Sequence, residues 1–337
     1  MHHFLASNQP QWTELSELVE KARRSPKRLS PEQISRLDTI YRATSIQLSQ
    51  VASRTNDQKL IRYLNDLTAA AHSIIYVPPK KSLLWEAVDF VLQGFGQSIA
   101  RTWRYHLLSL VLILFGGWLA YFVAQSDPAA AYALLPAGDV RSPGSTPEQL
   151  LEVLRSGRDQ SDGKKFVFAS FLFGHNLKVG LLSMGVGVLA AIPTVLLLVY
   201  NGMMLGAFAQ IHHQAGIYEE FWAWILPHGI TEIGAIVLCG GVGLMLGNAI
   251  IRPGLLSRAE SLRRAGTEAA YVCVGVFGML LFAAAVESFL RQSHLSTSAR
   301  LIFAAATALF WVVYIAYGAI CQRNEQIRKA TAAQLLH

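Results

Sequence analysis

Apolar residues recur at helical spacing in three segments of the N-terminal region. The first segment places Trp12 and Leu15 on one helical face. The second starts at Ser30-Pro31-Glu32-Gln33, which combines an N-cap serine, a proline at the first helical position and a glutamine three residues after the cap. The third stops at Val77-Pro78-Pro79. We therefore predict a three-helix bundle over residues 1–80, with a core so small that another surface is expected to cover it.

From residue 81 onward, the pattern changes to longer apolar segments. Residues 81–105 are amphipathic and end in basic and aromatic residues, so we interpret them as an interfacial helix, with a fourth bundle helix as the alternative. Residues 106–321 form a predicted membrane domain, because their apolar runs reach the roughly 20 residues needed to cross a bilayer. Residues 125–178 are expected to form an extracytoplasmic loop, and residues 322–337 a cytoplasmic tail.

The number of crossings depends on one stretch of the membrane domain. The clear spans are predicted at 106–124, 179–200, 229–251, 269–289 and 301–321. Pro193 is expected to kink the second, and Asn201-Gly202 interrupts the apolar run after it, so residues 205–217 form a short sixth span or a re-entrant half-helix.

The placement of Lys and Arg favours six spans over five. Residues 1–105 hold 14 of them, and the linker 252–268 and the tail 323–329 hold seven more. Positive charges stay on the cytoplasmic side, so an even number of crossings is expected between these segments. Both termini are then cytoplasmic, in the inner membrane.

Composition and charge agree with a membrane protein. Hydrophobic residues make up 52% of the 337 residues and charged residues only 15%, against about 25% charged in soluble domains. The net charge is +7, and the basic stretches alternate with long apolar runs. This pattern indicates a membrane topology and argues against binding to nucleic acid. The three cysteines lie in apolar runs without metal-ligand spacing. No nucleotide-binding or dinucleotide-binding motif occurs either. We therefore expect neither a bound metal nor a cofactor. The predicted fold class is an all-α polytopic membrane protein with a small cytoplasmic N-terminal bundle.

Ionisable and amide side chains inside the predicted spans are candidates for a functional site, because charged groups are costly in a bilayer. His228 and Glu232 lie four residues apart, on one helical face, where they could share a proton or bind a cation. Glu287 is a second intramembrane acid, and Asn176 and Asn201 add amide groups. The alternative is a buried hydrogen-bond network that only holds helices together. A zinc hydrolase is excluded by spacing, since no HExxH motif occurs.

Glycines in the spans predict close helix packing. Gly202 and Gly206 are four residues apart, as are Gly243 and Gly247, with Gly240 nearby. This spacing lets helices approach closely within one chain or in a homodimer. The alternative is that the glycines allow broken helices that line a substrate path.

The chain resembles the stage II sporulation protein M family at motifs spread over both regions. The matching segments are 37–42, 64–67 and 71–76 in the N-terminal part, and 173–176, 201–206, 226–232, 240–244, 252–254 and 287–289 in the membrane part. The resemblance implies an integral bacterial or archaeal membrane protein without established enzymatic activity. Its sporulation members act with peptidoglycan-degrading partners and are similar to this chain only in the membrane region.

The N-terminal bundle and the long outer loop instead resemble the longer, non-sporulation branch of the family. That branch is found beside an RDD-domain membrane protein, a MoxR-type AAA ATPase and von Willebrand factor A-like proteins, so the resemblance implies a MoxR-type ATPase or an RDD-type membrane protein as partner. An envelope protein that docks on the outer loop is a further expected partner.

Three functions are compatible with the sequence. The first is a non-enzymatic membrane scaffold of an envelope complex, in which the bundle docks a partner through a face that includes Tyr41 and Arg42. The second is a transporter or channel component with a polar path at His228, Glu232 and Glu287. The third, an enzyme acting on envelope precursors, lacks a recognisable nucleophile or metal set.

Overall fold

In the computed structural model, the described part of the chain is helical, and no strand occurs within it. The structure describes residues 2–24, 29–55, 57–76, 82–135, 139–155, 162–291 and 295–334. The chain divides into two compact units, residues 1–83 and 84–337.

The N-terminal unit is a bundle of three amphipathic helices. They are α1 (His2–Arg24), α2 (Pro31–Arg54) and α3 (Gln58–Tyr76). The predicted start of α2 is confirmed, because the Ser30 hydroxyl accepts from the Gln33 amide and the Gln33 side chain accepts from the Ser30 amide. Leu15, Leu37 and Leu64 are almost fully buried where the three helices meet. The hydrophobic periodicity of the sequence therefore accounts for the bundle.

The second unit contains the long apolar helices. Its elements are α4 (Leu83–Asp89), a π-helical turn (Phe90–Gly94), α5 (Phe95–Arg101), α6 (Trp103–Ser126), α7 (Pro128–Leu134), α8 (Pro147–Arg155), α9 (Asp162–Gly185), α10 (Ile192–Gln214), α11 (Tyr218–Ile251), α12 (Arg258–Val286), a second π-helical turn (Glu287–Arg291) and α13 (Thr297–Gln334). Within the described residues, five helices are long and apolar enough to cross a membrane, namely α6, α10, α11, α12 and α13. The protein is therefore all-α and polytopic.

Helix α11 is the centre of the membrane unit. Over an apolar 18-residue stretch of α11, 72% of the residues are buried, compared with 17% over the corresponding stretch of α13. It packs against α6, α9, α10, α12 and α13. The other apolar helices therefore contact α11 on most of its sides, so α11 organises the packing of this unit.

The five predicted packing glycines all lie at helix crossings within the chain. A Cβ atom at Gly202 would meet the Ile113 carbonyl oxygen of α6, and one at Gly206 would meet the Gly117 carbonyl oxygen. The glycines of α11 make similar approaches: Gly240 faces Leu198, Gly243 faces the Ser183 carbonyl and Gly247 faces Ala191. Because these surfaces are used inside one chain, they give no support to a homodimer, which stays a prediction.

The predicted break at Asn201-Gly202 is wrong. Helix α10 continues through these two residues. The side-chain amide of Asn201 donates to the Leu197 carbonyl oxygen of the same helix at 2.7 Å. The chain instead turns before α10, where Ala190 and Ala191 adopt positive φ angles of 57° and 62°. Pro193 then occupies the first turn of the helix, where its missing N–H costs nothing, and so it does not kink a span.

Because residues 205–214 belong to α10, a sixth membrane crossing would have to be made by α9. Residues 205–217 include the second half of α10, so the predicted spans 179–200 and 205–217 have the wrong bounds. The segment 125–178 is also not a continuous loop, because it contains α7, α8 and the first part of α9. Helix α9 is not among the five apolar helices found in the described residues. Six crossings, which would require α9 to cross, stay a prediction.

The predicted interfacial helix 81–105 packs within the membrane unit over its second half. Phe95 and Ile99 are buried in a cluster with residues of α11 and α12. Gly96 lies against Gly318 of α13, where a Cβ atom would come within 3.0 Å of the Gly318 Cα. The first half, from Leu83, exposes its large apolar side chains. The amphipathic pattern thus reflects contact with α11–α13 at one end.

Replacing a glycine at the crossing of α6 and α10 is expected to destabilise the membrane unit. Gly202→Ala should lower the melting temperature of the purified protein by several degrees, because overpacking costs about 1–3 kcal/mol. The measurement is thermal unfolding in detergent, followed by loss of the monodisperse peak.

Gly278→Ala is the matched control, since nothing lies within 4 Å of a Cβ atom at that mid-helix position. It should be neutral or slightly stabilising, because alanine favours helix over glycine. Equal losses for the two variants would contradict the proposed close approach.

Candidate functional site

Three ionisable side chains that the sequence singles out separately meet inside the membrane unit. His228 and Glu232 lie one turn apart on α11, and Glu287 opens the π-helical turn that follows α12. One ligand atom from each residue lies within 4.8 Å of the other two. The i, i+4 spacing predicts the first pair, whereas the approach of Glu287 comes from the packing of α12 on α11.

The helical hydrogen bonding is altered on both sides of this cluster. Pro227 precedes His228 within α11 and has no N–H to donate to the carbonyl of the preceding turn. Glu287 begins a π-helical turn, a form that is rare and recurs at functional sites. A missing backbone donor in α11 and a π-helical turn after α12 thus accompany the polar cluster.

The cluster is enclosed by protein. His228 and Glu287 are buried, and Glu232 is partly buried. His228 Nε2 and Glu287 Oε1 are separated by 3.9 Å. In a low-dielectric interior two carboxylates close together cannot both stay ionised without a compensating positive charge. The arrangement can therefore share protons among the three groups or hold a cation.

Neighbouring aromatic residues fix the α11 side of the cluster. The Trp224 ring lies edge-on to the His228 ring, with centroids 6.1 Å apart. Trp311 Nε1 of α13 donates to the fully buried Thr231 hydroxyl at 3.0 Å, between the two ionisable residues of α11. These contacts restrict the rotation of α11 and so help to orient His228 and Glu232.

An ion pair from the segment between α7 and α8 lies over the same end of α11. Arg141 Nη2 is 2.7 Å from Asp139 Oδ2, and its Nε donates to the other carboxylate oxygen. The Arg141 guanidinium also lies over the Phe208 ring at 4.0 Å and over the Trp224 ring at 5.6 Å. The hydrogen bonds from Arg141 lower the pKa of Asp139, with a smaller contribution from His212. The pair is thus held against the aromatic residues next to His228.

A cavity of about 230 Å³ opens beside Trp224. It lies between the end of α8 and the starts of α11 and α13, and its polar lining includes Arg155, Glu220 and Arg300. Trp224 therefore contacts both a polar cavity and the ring of His228. The ionisable cluster itself lies one turn further along α11.

The two predicted amide residues contribute less to this arrangement. Asn201 satisfies a carbonyl of its own helix. Asn176 is partly buried on α9. The amide that does connect helices is Asn248, whose Nδ2 donates to the Tyr105 hydroxyl of α6 at 2.9 Å. Part of the polar content of the spans thus holds helices together, as the alternative interpretation expects.

Tyr41 and Arg42 of the N-terminal bundle belong to a surface cluster on α2 and α3. The Tyr41 hydroxyl is 3.0 Å from His72 Nδ1, and Arg42 Nε donates to Asp38 at 2.9 Å. The Tyr76 hydroxyl donates to Asp38 and accepts from Arg42, both at 3.4 Å. The rings of Tyr41, His72 and Tyr76 contact one another. We name these five residues the α2–α3 patch.

Sequence reasoning missed the Asp139–Arg141 pair and the role of Trp224. Asp139 and Arg141 lie in a segment without hydrophobic periodicity, so no sequence pattern predicts that they form a partly buried ion pair. The aromatic run Phe221-Trp222-Ala223-Trp224 is typical of a belt at the membrane interface, which predicts no individual role for Trp224. A signal was present in its spacing, because it lies one helical turn before His228.

Removing Arg141 should loosen the segment that covers this end of α11. In Arg141→Ala, hydrogen exchange over residues 139–155 is expected to rise about tenfold, which corresponds to about 1.4 kcal/mol from the lost ion pair and ring contacts. Asp139→Asn should give a smaller rise, since the guanidinium still stacks.

The lowered pKa of Asp139 fixes the sign of the pH dependence. A depressed carboxyl pKa stabilises the folded state above the unfolded value of about 3.9 and loses that effect as the pH falls through the folded pKa. Protection of residues 139–155 corrected for the intrinsic exchange rate should therefore stay constant between about pH 5 and 8. Arg155→Ala is the control for Arg141→Ala, because it also removes an arginine but leaves the Asp139–Arg141 ion pair intact. Matching exchange in the wild type and Arg141→Ala would show that the pair does not hold the segment.

Two family models match the chain. The model described as "Stage II sporulation protein M" matches residues 109–291, which is more than half of the chain. The model described as "Domain of unknown function (DUF8413)" matches residues 2–77, the N-terminal bundle. No curated protein and no solved structure matches the chain.

The longer match spans α6 to the π-helical turn at Glu287–Arg291, so it includes all three residues of the polar cluster. The resemblance inferred from the sequence motifs is thereby confirmed. The family is not known for an enzymatic activity. With its apolar helices and this match over most of its membrane unit, the chain belongs to the stage II sporulation protein M family and is a multi-pass membrane protein.

Proposed function

We propose that this protein is a non-enzymatic scaffold that assembles a complex at the inner membrane, with the N-terminal bundle in the cytoplasm. The observation that carries the proposal is the α2–α3 patch, a polar and aromatic surface on a unit separate from the membrane helices. The positive-inside distribution of Lys and Arg supports a cytoplasmic bundle. The membrane helices then anchor the bundle.

The patch has the properties of a protein-binding surface. Tyr76 is 50% exposed and the Arg42 side chain 67% exposed. Tyrosine and arginine are enriched at the energetic centres of interfaces, because tyrosine buries a large area with few rotatable bonds and arginine donates several hydrogen bonds. Contacts with Asp38 and His72 already orient both side chains in the absence of a partner. A partner therefore meets a preorganised surface.

The membrane unit supports an anchoring role. Its helices α6, α10 and α11 are in backbone contact at glycines, an arrangement suited to a rigid support. The partners expected from the sequence and its family resemblance, a MoxR-type ATPase, an RDD-type membrane protein or an envelope protein, are the first to test.

Photo-crosslinking from the bundle tests the scaffold directly. A photoreactive residue at position 76 should crosslink one of the implied partners in cells, whereas the same residue at the exposed position Glu17 of α1 should not. Arg42→Ala and Tyr41→Ala should each reduce the yield about tenfold, as expected for the centre of an interface.

Arg62→Ala is the matched control, an exposed arginine on α3 outside the patch. Melting temperatures of the full-length variants distinguish loss of binding from loss of folding. If Tyr41→Ala leaves both the crosslink yield and the stability of the bundle unchanged, the patch has no role in docking or in packing. Equal crosslinking from positions 17 and 76 would also contradict the proposal.

A transport function is the second candidate, favoured by the convergence of His228, Glu232 and Glu287. Ionisable groups that meet within a membrane domain are used in proton relays and ion paths. The cavity beside Trp224 gives this cluster a polar neighbour one turn away. Transport and scaffolding differ in what a neutral substitution at Glu232 should do.

Glu232→Gln separates the two functions. In a transporter it should abolish flux into proteoliposomes while abundance and complex assembly stay normal. In a scaffold it should lower the abundance or the melting temperature, because a buried network loses a charge. Glu219→Gln, an exposed acid on the same helix, is the control and should change neither. A rise in proton or cation flux in wild-type proteoliposomes, lost in Glu232→Gln, would favour transport.

A further inference from the structure

We propose that His228, Glu232 and Glu287 form a binding site for one divalent transition-metal ion, such as Zn²⁺ or Mn²⁺. The three residues offer one imidazole nitrogen and two carboxylate groups, with one ligand atom of each within 4.8 Å of the others. Imidazole and carboxylate together suit these ions. The site goes beyond the scaffold function and does not depend on it.

The distances in the cluster fit a shared ion. Two ligands held at about 2.1 Å from one tetrahedral metal are about 3.4 Å apart. His228 Nε2 and Glu287 Oε1 are 3.9 Å apart, which exceeds a direct hydrogen bond and is close to that separation. All three ligand atoms lie within 4.8 Å of one another, so the proposed ion needs each pair to approach by at most about 1.4 Å from that limit.

Charge favours an ion over an empty cluster. Two ionised carboxylates with a neutral imidazole carry two negative charges, which a divalent cation neutralises. Because His228 and Glu287 are buried, a bound cation interacts with them more strongly than it would in water. The competing arrangement is the same cluster neutralised by protons, and it binds no metal.

The site has the form of an open coordination sphere. Three protein ligands leave at least one position for water, and Glu232 is the partly buried member of the three. The cavity beside Trp224 is lined by Glu220 and Arg300 and lies one helical turn before His228 on α11. Metal bound here would join α11 to the π-helical turn at Glu287, two elements that are far apart in sequence.

The test uses the full-length protein in detergent. After purification without chelator, plasma mass spectrometry should find about one metal per chain. After removal with EDTA, re-addition of Zn²⁺ or Mn²⁺ at about 100 times its dissociation constant should raise the melting temperature by about 5–10 °C. Co²⁺ in the same protein should give an absorption spectrum typical of nitrogen and oxygen ligands.

Two variants and a control make the test specific. Glu287→Gln should lose the metal, the temperature shift and the Co²⁺ spectrum. Glu287→Asp keeps the charge with a shorter side chain and should weaken metal affinity at least tenfold. Glu219→Gln should behave as the wild type.

The proposal is overturned if EDTA-treated wild-type protein shows no temperature shift with any of the three metals. It is also overturned if Glu287→Gln and Glu219→Gln shift equally, which would indicate adventitious binding elsewhere. Either result would leave the crosslinking from the α2–α3 patch unaffected, so failure of the metal site and failure of the scaffold are distinguishable.

Discussion

Close contact between helix backbones is the constraint on which the membrane unit depends. Lipid is as apolar as the side chains that face it, so helices in a bilayer gain little from burying leucine against leucine. They associate through van der Waals contact, which is largest where no side chain separates the backbones. Gly202 and Gly206 place α10 directly on α6, and Gly243 brings α11 to the Ser183 carbonyl of α9. These crossings hold α11 among its neighbours and thereby fix the positions of its polar side chains.

The ionisable groups of α11 lie beside two changes in helical hydrogen bonding. Pro227 removes one backbone donor from α11, and a π-helical turn begins at Glu287. The glycines Gly240, Gly243 and Gly247 pack the same helix against its neighbours, so tight packing and the polar cluster occur on one helix. Scaffold, transport and metal binding would all use it.

The family assignment and the function rest on different parts of the molecule. The sporulation protein M match covers the membrane unit from α6 to the end of α12, while the N-terminal bundle matches a family model of unknown function. A shared fold restricts the chemistry only weakly, because function resides in particular sites. The α2–α3 patch and the cluster around His228 are the two such sites, one on each unit.

The sequence alone determined the helical class, the start of α2 at Ser30, the apolar spans in α6, α11, α12 and α13, and the His228–Glu232 pair, because these follow from periodicity and spacing within one helix. It misplaced the break at Asn201-Gly202, because a local pattern treats glycine as a helix breaker. The pattern does not include the α6 backbone, against which Gly202 packs within a continuous helix. Only the tertiary structure decided that Glu287 joins the pair and that Arg141 lies over Trp224. Those contacts join residues distant along the chain, and their geometry is set by how helices cross, which no local pattern encodes.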